Sequence, residues 1–381
     1  MKKRNYILLA LVLLLVFTGC KKQVIKPESV LDTPENHYIM GVRALDKDNF
    51  QVAYDEFQRA IGINKKSQYG HLGMALYHGR KADFKNADKA IAKAVKLSKK
   101  AIPVEIVRAR LITMKKGEEW LVETEKVFKK IFKKEPNNPE ARFYMGMSYR
   151  DAFKFGSAAG QFQKVLEIKN NSWMDDADFQ WKLMNDIQRA MPGTKYGKKI
   201  ALMPKLDRSD FAVLLVEEFK LIEVIKKRRR EVYDTTFKTP EQMAKKAAEK
   251  AGEPTDLTSH WAKNWVKEVL ALDIRGLKPF PDGLFKPDMF MTRANFAQSI
   301  EDLIVLIDND AAVTKKYIGE TSHFPDVRSD YYAYNSIALV VDRGVLEVKS
   351  LKGEFLPEAT ISGAEALLAI RALQNALRLT F

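Results

Sequence analysis

The chain has 381 residues, a formal net charge of +15 and a single cysteine. That length suits roughly two or three domains, and one cysteine excludes both intramolecular disulfides and cysteine-based zinc sites. The basic excess points to an anionic partner.

The first residues, "MKKRNYILLALVLLLVFTGCKKQ", place the basic cluster Lys2, Lys3 and Arg4 ahead of an apolar run from Tyr6 to Phe17, then Thr18, Gly19 and Cys20. That order is a bacterial export signal, and its apolar run falls short of the roughly 18 residues that cross a bilayer. Phe17-Thr18-Gly19-Cys20 resembles a lipobox, with Phe17 where Leu is usual. The resemblance implies a signal peptide over 1–19, lipidation at Cys20, a lipidated tether over 20–33 and a membrane held through the lipid anchor. Lys21, rather than Asp, follows Cys20, and by analogy with lipoprotein sorting this points to the periplasmic face of the outer membrane. Export also turns the basic excess away from nucleic acid and toward anionic glycans or lipid head groups.

From residue 34 the pattern is helical, with an internal period of 34: Ala53 and Ala87, Phe57 and Ile91, Ala60 and Ala94, then Thr124 and Ala158, Phe128 and Phe162. Such a period predicts stacked supersecondary units. "YIMGVRALDKDNFQVAYDEFQRAI" and "ARFYMGMSYRDAFKFGSAAGQFQKVLEI" carry Gly41, Ala53, Phe57 and Ala60, and Gly146, Tyr149, Ala158 and Phe162. These positions resemble the tetratricopeptide repeat, a pair of antiparallel helices packed through small residues. Four repeats fit, at 34–67, 68–101, 105–138 and 139–172, with 102–104 as extra residues. The third is the weakest, with Thr124 at the crossing position and Ile112 at the glycine position. A solenoid of this kind presents a concave surface, which serves an unidentified protein partner or acts only as a spacer.

The second half repeats a longer phrase. Asp256 precedes Thr292 by 36 residues, and Asp326 precedes Ser362 by the same 36. Gly283-Leu284-Phe285-Lys286-Pro287 matches Gly353-Glu354-Phe355-Leu356-Pro357, and Trp261 aligns with Tyr331. "SHWAKNWVKEVLALDI" reads as an amphipathic helix, "RGLKPFPDGLFKPDMF" as a loop, and Thr292 as the N-cap of "RANFAQSIEDLIVLI". Asp256 and Asp326 are expected to cap the leading helices. A fainter echo, "KLDRSDFAVLLVEEF", carries Asp207, Arg208 and Phe211.

These units resemble the S-layer homology domain. The better unit supplies Asp256, Trp261, Ala262, Gly276, Gly283, Phe285, Pro287, Thr292, Arg293, Ala294 and Phe296; the other keeps Phe324, Asp326, Gly344 and Phe355 but has Gly363 in place of the arginine. The expected order is a degenerate first unit at 173–226, a charged linker at 227–255, and full units at 256–307 and 323–381. The resemblance implies a three-lobed helical bundle that binds cell-wall glycan, either peptidoglycan or an attached anionic polymer, in grooves between lobes. It assigns Arg293 and Arg208 to the anionic ligand, beside Thr292, with Trp261 available to stack on a sugar ring. Guanidinium suits the task because its planar fork matches a carboxylate. The same arginines also suit a loop-packing role, and Trp261 and Trp265, at helical spacing, also suit a core.

The five histidines are scattered, and neither a phosphate loop nor a nucleophile motif is present. The expectation is therefore an all-α, non-enzymatic envelope lipoprotein with no cofactor and no metal, which binds cell-wall polysaccharide and presents a helical scaffold. The alternative is an assembly or pilot lipoprotein of a secretion, pilus or outer-membrane machine, in which the wall-binding units only localise the chain.

Overall fold

The computed structural model describes residues 27–228 and 254–378. The expected export signal, Cys20 and most of the expected charged linker lie outside the described residues. Sixteen α-helices run through the described residues, with no strand among them. None of these helices is long and apolar enough to cross a membrane. The chain divides into two compact units, one ending at Trp181 and one beginning at Lys182.

The first unit pairs α1 (Pro34–Asp46) with α2 (Phe50–Ile63), α3 (Gln68–Arg80) with α4 (Phe84–Leu97), α5 (Ile102–Lys115) with α6 (Trp120–Lys134) and α7 (Pro139–Asp151) with α8 (Phe155–Leu166). Residues 102–104, expected between repeats, form the first turn of α5, where Pro103 is tolerated because its missing N–H has no helical partner to lose. Side-chain oxygens of Thr33, Asn49, Ser67, Asp83 and Asn138 accept from backbone N–H groups in the first turns they precede.

Close helix approach explains the repeated small residues. Phe57 is fully buried, and a Cβ on Gly41 or Gly73 would stand 2.3 or 2.0 Å from its ring. Gly146 makes the same allowance for Phe162, at 2.6 Å. In the third pair, the Thr124 hydroxyl at the crossing joins a buried group in which Thr113 Oγ1 lies 3.4 Å from Thr124 Oγ1 and 2.9 Å from Ser148 Oγ. A polar crossing is tolerated there because its hydroxyls are hydrogen-bonded to one another.

The second unit contains the end of α9 (Met174–Ala190), α10 (Lys195–Ala201), α11 (Arg208–Glu217), α12 (Leu221–Arg228), α13 (Lys263–Leu270), α14 (Arg293–Asp308), α15 (Tyr334–Asp342) and α16 (Gly363–Ala376). The residues preceding the caps of α11, α14 and α16 meet in a ring of backbone hydrogen bonds. Leu206 N donates to Ile361 O at 2.8 Å, Ile361 N to Met291 O at 3.2 Å, and Met291 N to Leu206 O at 2.9 Å. Three lobes therefore converge on one point, and the recurring phrase marks where each lobe enters the ring. Asp207, Thr292 and Ser362 cap the helices that follow.

The leading helix of the better unit is shorter than its sequence pattern. It begins only at Lys263, because the His260 imidazole accepts from Ala262 N at 3.2 Å and holds residues 260–262 in a turn. Asp256 and Asp326 do not cap leading helices. Asp256 accepts from Phe285 N at 3.0 Å and Lys286 N at 2.6 Å, and Asp326 accepts from Phe355 N at 2.9 Å and Leu356 N at 2.7 Å. These carboxylates fix the loop where Lys286 and Leu356 take φ of +55° and +57°, a conformation that costs an L-residue roughly 1–2 kcal/mol. Gly283 and Gly353, with φ of +79° and +84°, turn the same loop without that cost.

Candidate functional site

Each arginine at the start of a lobe helix reaches into the loop of the next lobe. Arg208 Nε donates to Phe285 O at 2.8 Å, and Arg293 Nε to Phe355 O at 2.7 Å. Both guanidiniums lie over the rings of those phenylalanines, 4.5 Å and 4.4 Å from the centroids. The backbone follows the same rotation: Arg208 N donates to Met289 O, Arg293 N to Ala359 O and Gly363 N to Met203 O. The arginine position is thus first a fastener between lobes, a role that motif spacing alone does not distinguish from ligand binding.

The three junctions differ in their charges. At the first, Arg208 is also buried, 6% exposed, and its remaining donors go to the carbonyls of Gly276 and Lys278; what sets it apart from Arg293 is that among the described residues no carboxylate pairs with it. Burial pulls the Arg208 guanidinium down to about 10, opposed by the field of Asp256, so it remains charged at neutral pH. Asn295 occupies the third residue of the facing helix, where an acid would neutralise it. Arg208 and Asn295 line a cleft of about 270 Å³ with Lys278, Phe280 and Phe290. Phe290 is 49% exposed, so the cleft joins a cation, a neutral amide and an open aromatic wall.

At the second junction Glu365 stands where Asn295 stands at the first. Its carboxylate accepts from Arg293 Nη1 and, at 2.8 Å, from Lys349 Nζ. Arg293 is 0% exposed. The expectation of Arg293 as an open groove cation is corrected on this point: its donors are already engaged by Glu365 and the carbonyls of Glu347 and Phe355.

At the third junction the arginine is replaced by Gly363, whose added Cβ would lie 1.7 Å from Ile200 O. The first lobe packs directly on the helix start and leaves no room for a side chain. Asp210, the first lobe's counterpart of Asn295 and Glu365, is 1% exposed, and its Oδ2 has no partner among the described residues. Burial, with the charge of Asp207, pushes its carboxyl up to about 7. A residue not singled out from the sequence, Arg371, fastens this junction from two turns farther along α16. It donates to Ala190 O at 2.7 Å, Met191 O at 3.0 Å and the buried carboxylate of Glu218 at 2.7 Å. Only its standing as the one basic residue of α16, at helical spacing from Gly363, could have drawn attention to it.

Thr292 acts as the cap expected, its hydroxyl accepting from Asn295 N at 3.2 Å. Trp261 is not core: it is 50% exposed and stacks on Tyr196 with ring centroids 5.9 Å apart and planes 18° apart. Trp265 closes the cluster edge-on to Tyr196 at 5.0 Å and donates its indole N–H to Glu217 at 2.9 Å. The structure brings Arg208 and Asn295 into one cleft, while Trp261 belongs to a separate aromatic platform. Among the described residues no group of three or more His, Cys, Asp and Glu side chains is arranged to hold a metal.

Residues 255–297 and 323–367 match the family model of the S-layer homology domain. No curated protein matches the chain. Domains of this family imply binding to cell-wall polymers and association with the cell envelope. Together with the all-helical repeat-like array, they suggest a binding protein rather than a catalyst.

Proposed function

We propose that this protein is a non-enzymatic envelope tether whose three-lobed unit holds an anionic cell-wall polymer in the Arg208 cleft. The observation that carries the reading is the difference between the junctions: Arg208 faces neutral Asn295, whereas the equivalent Arg293 is neutralised by Glu365. A ligand carboxylate supplies at the first junction the charge that Glu365 supplies at the second. Phe290, 49% exposed, offers an apolar face to a sugar ring, and the half-exposed Trp261–Tyr196 pair gives a second stacking surface on the same unit. Residues 173–226 act in this reading as the first lobe, degenerate in its loop but complete in its helix start.

The helical array, a tetratricopeptide-like scaffold in this reading, presents the concave surface to a protein partner. Lipid attached to Cys20 holds the chain to a membrane, at the periplasmic face of the outer membrane. The lipobox-like residues and Lys21 support that placement.

Co-sedimentation of the full chain with isolated cell-wall sacculi tests the wall-binding reading. The decisive variant is Asn295→Glu, which gives Arg208 the partner Arg293 already has. Saturable binding by the parent, weakened at least tenfold in Asn295→Glu with the melting temperature unchanged or raised, is the expected result. Equal binding by parent and variant would remove the Arg208 cleft from the proposal.

A further inference from the structure

The helical array holds a pocket of about 230 Å³ whose charge opposes that of the chain. Its walls come from α1, α3, α5, α7 and the beginning of α9, the first helices of successive pairs. Four carboxylates line it, Glu35, Asp46, Glu140 and Asp176, against one cation, Arg43. Arg110 lies behind this surface, its guanidinium 3.8 Å from the Tyr144 ring centre and 4.0 Å from Asp46, and counting it still leaves the acids in excess. A protein with a net charge of +15 thus places an excess of negative charge in this recess.

A second observation is independent of the acids. Tyr38 lines the pocket, is 5% exposed, and its hydroxyl has no hydrogen-bond partner among the described residues. Buried hydroxyls are ordinarily satisfied, so this one is available to a group entering the pocket. Burial also pushes Glu140 and Asp46 up from the ordinary carboxylate range, with Arg110 opposing, which marks acids that lack sufficient neutralising charge. The remaining wall is apolar and aromatic, with Val42, Pro103, Tyr69 and Trp173.

We infer that this recess receives one lysine or arginine side chain of an extended partner polypeptide, with Tyr38 hydrogen-bonding to the partner's backbone. The size fits one long side chain, below the roughly 300–1,000 Å³ of pockets for whole small molecules. The methylene stem lies along the apolar wall while the charged head meets the carboxylates, and Trp173 and Tyr69 offer ring faces to a cation. The inference rests on reading the array as a partner-binding scaffold and is independent of wall binding.

The test uses the purified full chain and a fluorescein-labelled nonapeptide with one central arginine among alanine and leucine. Its citrulline counterpart, isosteric but neutral, is the control, with free butylguanidinium as competitor. Fluorescence anisotropy is expected to show saturable binding of the arginine peptide, at least tenfold weaker for citrulline and at least fivefold weaker for Glu140→Gln or Asp46→Asn. Tyr38→Phe, which keeps the ring, reports on the hydroxyl, and melting curves of each variant show that the fold is retained. Equal binding of arginine and citrulline peptides would leave a peptide-binding array and overturn the cation specificity alone. No binding of either peptide would overturn the scaffold reading with it. Competition by butylguanidinium as strong as by unlabelled peptide would assign the pocket to a small cation instead. Sedimentation with sacculi by the same variants stays at the parent level, which separates this result from the wall-binding reading.

Discussion

Glu365 and Arg293 stand 72 positions apart in the chain, yet the carboxylate of one accepts from the fully buried guanidinium of the other. Arg293 opens α14 and Glu365 lies in the first turn of α16, so the pair fastens two lobes at the ring formed by Leu206, Met291 and Ile361. The same rotation sets Arg208 against Asn295 and Gly363 against the position of Asp210. At these matched positions one junction has both charges, one has only the base and one has only the acid, the third being fastened instead by Arg371 and Glu218.

Breaking the complete pair is expected to act on stability. Arg293→Met removes two hydrogen bonds into the loop and one to Glu365, and leaves Glu365 to Lys349 alone. The loss should be about 3–5 kcal/mol, as for removal of one member of a buried ion pair, read by urea unfolding of the full chain. A change under about 1 kcal/mol would show that the guanidinium is not the fastener its geometry describes.

Gly363 is set by the backbone of the first lobe. Gly363→Ala places a methyl against Ile200 O, and rigid backbone yields less readily than a side chain. A loss of about 1–3 kcal/mol or more is expected from overpacking, visible as a lower melting temperature of the second unit. Unchanged melting would mean that the first lobe does not press on α16.

The unpaired acid gives a pH signature. Burial and Asp207 hold the Asp210 carboxyl at about 7 in the folded protein, against the ordinary aspartate value of 3.8 that the unfolded chain takes. The native chain therefore binds a proton that the unfolded chain releases, and stability falls as pH rises from about 4 through about 7. Asp210→Asn should flatten that slope and stabilise the protein at pH 8 by about 1–3 kcal/mol, by removing a buried charge with an unsatisfied oxygen. Urea unfolding at pH 5 and pH 8 gives the comparison; an unchanged slope would place the titration elsewhere.

A second pH effect, of the same sign, belongs to the first unit. His37 lies between Glu56 at 2.5 Å and Asp32 at 2.6 Å. Burial would lower its pKa, but the hydrogen bonds to Glu56 and Asp32, with their charges, raise it on balance. Its contribution is complete below its unfolded value near 6.5 and is lost as pH rises through the raised folded value. Hydrogen exchange at residues 27–33 should quicken between pH 6 and pH 9 in the parent beyond the intrinsic rate increase. In His37→Gln the protection should be low at both.

Much of the fold was legible because it is carried by local chemistry. The resemblance to paired repeat helices implied aromatics beside small residues, and Phe57 does pack on Gly41 and Phe162 on Gly146. Thr292 read as a cap and is one, and Ser362, aligned with it in the repeat, caps α16 in the same way. Local reading failed at Trp261, where an apolar spacing suggested a helix and a His260 turn delayed it. It failed again at Asp256 and Asp326, whose partners lie about 30 positions away in a loop rather than in the adjoining helix.

The sequence by itself determined the helices, the stacking period, the capped helix starts and the glycine-bearing loops. Each depends on residues within a few positions of one another, where propensity and hydrogen-bonding reach are set by the covalent chain. Only the tertiary structure decided which buried arginine is neutralised and which lines a cleft without a carboxylate partner. Arg208 and Arg293 occupy equivalent positions in their own phrases, and what separates them is a facing residue, Asn295 or Glu365, brought close by the closure of three lobes. A charge's role depends on burial and on the groups within hydrogen-bonding distance, and those are properties of the folded chain.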